Sequence, residues 1–107
     1  TMTNFALSDL DQIIGERVGS EATKSYTKSL LEAGIGRVAK KFGEEAVEAV
    51  IAAAEKDGEA LAAEAADVLY HLLVMLRSAD VPLSRVMAIL ESRTAQSGHA
   101  EKASRGS

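Results

Sequence analysis

A chain of 107 residues, 47% of them hydrophobic and 26% charged, fits one globular domain and is too apolar for a disordered chain. A net charge of −4 excludes the basic footprint of a nucleic-acid binder, and the absence of cysteine excludes disulfide frameworks and thiol chemistry. No apolar run approaches the roughly 20 residues of a membrane span, and no basic-then-apolar leader opens the chain, so no membrane partner is expected and the cytoplasm is the expected compartment.

The periodicity predicts an all-α chain of about five helices. The first runs over 4–17, with Leu7, Leu10, Ile13 and Ile14 at helical spacing and Gly15 and Gly19 weakening its end. A polar loop follows over 19–24. Ser25 suits the N-cap of a short second helix through Leu31, and Gly34 and Gly36 then break the chain. The third helix is predicted over 37–56, the turn at Asp57-Gly58, and the fourth helix over 59–78. Pro82 suits the first turn of a fifth helix that ends near Thr94. Residues 98–107 read as a mobile polar tail of a single domain spanning 1–107.

The third and fourth helices carry the chemistry. Leucine, valine and methionine surround the fourth helix on nearly every side, which marks a buried helix. Tyrosine aside, its only acid or base side chains between Ala60 and Leu76 are Glu64, Asp67 and His71. At 100° per residue they fall within about 60° of one another. On the third helix Glu44, Glu45 and Glu48 share a face with Lys41, beside an apolar stripe of Val38, Phe42, Ala46, Ala49 and Val50. An antiparallel hairpin through Asp57-Gly58 brings the two acidic sets within roughly 4–5 Å of register. Buried carboxylates cost several kcal/mol each unless paired or bound to a cation. Glu45, Glu48, Glu64 and Asp67 therefore read as an all-oxygen cage for Mg²⁺, with Mn²⁺ as a substitute. Two or more such ions clamp phosphates and activate water. Lys40 or Lys41 is the expected phosphate contact.

Plainer readings stand beside these. Glu44, Glu45 and Glu48 by themselves are an ordinary solvated helix face. Glu64 and Asp67 would be satisfied by ion pairs to Arg37, Lys40 or Lys41. His71 would be a satisfied core histidine.

Glu-Glu-Ala-Val-Glu at 44–48 followed by Glu-Ala-Ala-Asp at 64–67 resembles the EExxE…ExxD pattern of the all-α, MazG-like nucleoside-triphosphate pyrophosphatases. Ser25-Tyr26-Thr27, the run from Lys41 to Ala46, Ala-Asp-x-x-Tyr-His at 66–71, Ser97-Gly98 and Glu101–Arg105 narrow it. Together they resemble the phosphoribosyl-ATP pyrophosphohydrolases of histidine biosynthesis over about residues 5 to 105. The resemblance implies Mg²⁺-dependent hydrolysis of phosphoribosyl-ATP to phosphoribosyl-AMP and pyrophosphate. It makes Glu44 a candidate to order or deprotonate the attacking water. It adds Ser25, Tyr26, Thr27, His71, Arg93, Lys102 and Arg105 as substrate contacts. It also agrees with a homodimer or larger assembly, which the apolar girth of the fourth helix already suggests, as a four-helix core of two hairpins. Two rivals remain at this point: a housecleaning pyrophosphatase for free or damaged dNTPs, and a non-enzymatic helical interaction module.

Overall fold

The computed structural model describes residues 3–19 and 26–95. Among them the chain forms five helices and no strand: α1 (Leu7–Gly19), α2 (Tyr26–Ala33), α3 (Ile35–Ala54), α4 (Gly58–Ser78) and α5 (Leu83–Thr94). The all-α expectation holds, with shifted ends. Ser25 and the loop at 20–24 lie outside the described residues, as does the tail from 96 onward.

Three turns set the architecture. Between α2 and α3 only Gly34 breaks the helix, at φ 96°, a left-handed value that suits glycine. Gly36 is helical, so α3 starts two residues earlier than its composition suggests. Between α3 and α4 the left-handed residue is Lys56, at φ 57°, and not Gly58. The Asp57 amide donates to the Ala52 carbonyl and the Lys56 amide to that of Ala53, a Schellman closure that ends α3 at Ala54. The Asp57 carboxylate then accepts from the Ala60 amide at 3.0 Å and caps α4. The same closure recurs after α4: Asp80 sits at φ 58°, with the Val81 amide on Leu76 and the Asp80 amide on Arg77. Pro82 takes the N-cap of α5.

Among the described residues the α3–α4 hairpin forms the largest interface. Helices α1 and α2 cover one end of it. There Ile14, Leu30, Val38, Leu73 and Val74 form the buried core, flanked by Leu7, Leu10, Leu31 and Leu83. Gly15 lies in α1 and does not end it. A methyl group there would meet the Arg77 guanidinium at 3.1 Å, so its missing side chain lets Arg77 lie across α1 and pair with Asp11 at 3.3 Å. Among the described residues the other end of the hairpin has no such cover. Val50, expected in the apolar stripe of α3, is 67% exposed, because the stripe that faces α4 runs through Val38, Phe42, Glu45, Ala49 and Ala52.

The α3–α4 turn yields a paired test. Lys56→Gly removes a left-handed L-residue and should stabilise the fold by about 0.5–1 kcal/mol. Asp57→Ala removes the cap and should cost about 1 kcal/mol. Urea denaturation at fixed protein concentration measures both.

Candidate active site

Glu45 follows Val38 by seven residues and Phe42 by three, so the pitch of α3 carries it into the seam, where it is 8% exposed. Glu48 is one turn on, at the rim. The Schellman turn brings Glu64 of α4 opposite. Carboxyl oxygens of Glu45, Glu48 and Glu64 lie within 4.8 Å of one another. Asp67 is one turn beyond Glu64 and exposed, at the edge of this group. Its charge still bears on Glu64.

The crowding has an electrostatic consequence. Protonated Glu64 donates a hydrogen bond to the Glu48 carboxylate, which holds the proton on Glu64. Burial and the charges of Glu48, Glu45 and Asp67 add to this and push its pKa up to about 7. Among the described residues the only cation in contact with the group is Lys41. Its ammonium lies 3.4 Å from Glu45 and 3.9 Å from Glu44, and Glu45 raises its pKa. Among the described residues no ion pair to Arg37, Lys40 or Lys41 satisfies Glu64 or Asp67. One lysine against five acids leaves an arrangement that suits a hard divalent cation, since all the donors are oxygen. Glu44 is exposed on the outer side of the cluster.

Helix α2 closes one flank through long-range hydrogen bonds. The Tyr26 hydroxyl lies 3.0 Å from His71 Nε2, and His71 Nδ1 lies 2.7 Å from the Asp67 carbonyl. The consistent tautomer donates from Nδ1 to Asp67 and accepts from Tyr26 at Nε2. His71 is thus buried and satisfied on both sides, and it links α2 to the helical turn that bears Asp67. Thr27 is fully buried and its hydroxyl is hydrogen-bonded to that of Tyr70, so it faces no solvent in this conformation. Burial raises the pKa of Tyr26, opposed by Lys41 and supported by Tyr70 and Glu45.

Tyr26, Lys40 and Lys41 line a cleft of about 340 Å³ between α2 and α3, beside the carboxylates. Arg37 and Ser29 line it too. Both escape a sequence reading centred on acids, although Arg37 and Lys41 are i, i+4 neighbours on one face. Arg93 is exposed on α5, among neither the carboxylates nor the residues that line this cleft. Ser25, Lys102 and Arg105 lie outside the described residues.

The proton on Glu64 gives this geometry a solution signature. Its carboxyl titrates near 4.5 when unfolded and near 7 when folded, so protonation favours the fold. Stability of the metal-free protein should therefore decline as pH rises from about 4.5 to 7. Glu64→Gln should flatten that decline, and melts in EDTA across this range decide it. An unchanged slope in the variant would refute the shared proton.

Comparison with known proteins places these residues in context. The family model for phosphoribosyl-ATP pyrophosphohydrolase matches residues 7–94. The chain is 58% identical to a phosphoribosyl-ATP pyrophosphatase of Methylobacterium nodulans over 104 residues, 97% of each chain. It is 57% identical to that of Agrobacterium fabrum, again over 97% of each. The Rhizobium johnstonii protein of the same name is 56% identical over 99% of each.

Proposed function

The chain belongs to the phosphoribosyl-ATP pyrophosphohydrolase family, and we propose that the carboxylates between α3 and α4 hold the Mg²⁺ with which it converts phosphoribosyl-ATP and water to phosphoribosyl-AMP and pyrophosphate. The reaction is the one its relatives are named for, and it is a step of histidine biosynthesis. A housecleaning dNTP pyrophosphatase would share the same carboxylates. Near full-length identity to enzymes named for phosphoribosyl-ATP favours the biosynthetic substrate.

One observation carries the assignment of the site: the oxygens of Glu45, Glu48 and Glu64 converge within 4.8 Å with no cation among the described residues to neutralise Glu48 and Glu64. Glu45, Glu48 and Glu64 would hold the ion, with Asp67, one turn beyond Glu64, as the fourth ligand from the rim. Magnesium held there would supply charge stabilisation for the pyrophosphate leaving group and would activate water. The protein's own groups do the rest. Glu44, outside the cage, accepts a proton from the attacking water. Lys41 links the cage to the adjoining cleft and meets a phosphate oxygen there. His71 and Tyr26 hold the Asp67 turn against α2. No helix among the described residues is long and apolar enough to cross a membrane, and we place the enzyme in the cytoplasm.

A pyrophosphate-release assay with Mg²⁺ against phosphoribosyl-ATP, ATP and the dNTPs tests the substrate, which should be phosphoribosyl-ATP by a wide margin in kcat/KM. Glu48→Gln and Asp67→Asn should each lower turnover by about a hundredfold or more. Both should stay folded, since each removes a repelling charge. Mg²⁺ should raise Tm in the parent more than in either variant. Full turnover in EDTA would overturn the assignment.

The uncovered end of the hairpin bears on assembly. Val47, Val50 and Ile51 of α3 and Leu61 and Leu69 of α4 are all exposed. Large apolar side chains exposed together on one hairpin are what a packed partner would cover. A second hairpin packed on it completes a four-helix core, and we propose a homodimer on that ground. Light scattering should give twice the 11.3 kDa chain mass, and Ile51→Glu should shift the species toward monomer.

A further inference from the structure

The cleft between α2 and α3 extends away from the carboxylates, and its charge is opposite to theirs. Arg37, Lys40 and Lys41 line it, with the Ser29 hydroxyl, the Tyr26 ring and the single acid Glu44. Lys41 is shared with the ion pairs to Glu44 and Glu45. Arg37 and Lys40 make no ion pair among the described residues. Two unneutralised cations thus border one concavity of a chain whose net charge is −4. The first turn of α3 opens beside Arg37. Its N-cap, Gly34, contributes no side-chain hydrogen bond, so the positive end of the helix adds to the field. Across the cleft Tyr26 is fixed by its bond to His71.

Distance decides which anion belongs here. Arg37 precedes Glu45 by eight positions and Glu48 by eleven, about 12 and 16 Å along the axis of α3. On that spacing Arg37 is set for a different anionic group from the phosphate held by ions on Glu45 and Glu48. The cleft calls for a second anionic group on the same ligand, separated from the reacting phosphates by about the length of a nucleoside. Phosphoribosyl-ATP has such a group, the phosphomonoester on its second ribose, and ATP does not. On the reading of the active site given above, we propose that Arg37 and Lys40, with Ser29 as a hydroxyl donor, form the subsite for this ribose phosphomonoester. The subsite is what separates the biosynthetic substrate from free ATP. Lys41, between the subsite and the cage, serves the bridging end of the nucleotide.

Arg37→Gln and Lys40→Gln are exposed substitutions, and circular dichroism should show both folded. For each, the ratio of kcat/KM for phosphoribosyl-ATP to kcat/KM for ATP should fall by about tenfold or more, mainly through KM for phosphoribosyl-ATP. The fall should be larger in the double variant. An unchanged ratio, whether both substrates weaken alike or neither does, overturns the subsite. A second readout needs no turnover. Ribose 5-phosphate added to the metal-free parent should shift the amide resonances of residues 29–41, and Arg37→Gln should weaken that binding by about tenfold. Shifts confined to residues elsewhere, or binding unaffected by the substitution, overturn it as well. A parent that binds ribose 5-phosphate in this cleft yet fails to hydrolyse phosphoribosyl-ATP would refute the proposed reaction and leave the subsite standing.

Discussion

Glu45 lies in the middle of the α3 stripe that faces α4, with Val38 and Phe42 on one side and Ala49 and Ala52 on the other. An ionised carboxylate there costs several kcal/mol unless something compensates it. Lys41 compensates part. Glu48 and Glu64, brought against Glu45 by the hairpin, increase the cost, and a proton on Glu64 is the apo protein's relief. The remaining architecture accommodates this strain. The apolar core sits at the opposite end of the hairpin, where Ile14, Leu30, Leu73 and Val74 supply burial that the acidic seam cannot. Two Schellman turns with left-handed Lys56 and Asp80 hold the helices on either side of α4 without slack.

The division of labour between α2 and α4 follows. Helix α2 has eight residues, too few to be stable alone. It is held by Leu30 in the core, by the Thr27–Tyr70 hydroxyl pair and by the Tyr26–His71 bond. Tyr26 therefore faces two ways: its hydroxyl points into the site's support and its body walls the basic cleft. A short element anchored in this way gives the substrate side of the enzyme a rigid boundary opposite the carboxylates.

Much of this was legible in the sequence. Helical period alone places Glu45, Glu48 and Glu64 in the seam, because the apolar residues around them fix which face turns inward. It also identifies all five helices. What escapes it depends on partners remote in sequence. The period gives the phase of Asp67 on α4 but not the tilt of α3 against it, so its exposure was not readable. His71 appears as a member of the acidic sector, whereas Tyr26, 45 residues away, makes it a structural link. Gly58 and Gly36 attract turn assignments through composition, yet Lys56 and Gly34 take the left-handed conformations. Val50 looks like core because it lies next to the stripe, and only the position of α4 shows it to be outside.

The turn at Lys56-Asp57 also governs how this protein is free to vary in length. Glu45 to Asp67 is a continuous stretch of two helices and a closure of three residues, 55–57. One residue inserted or removed within either helix between the turn and an acid rotates that acid by about 100° and shifts it by about 1.5 Å relative to its partners. Substitutions at exposed positions such as Ala53 leave that phase intact. A gap of even one residue in this stretch breaks it, and no adjustment elsewhere restores it. The stretch from Glu45 to Asp67 therefore accommodates a change of residue far more readily than a change of length.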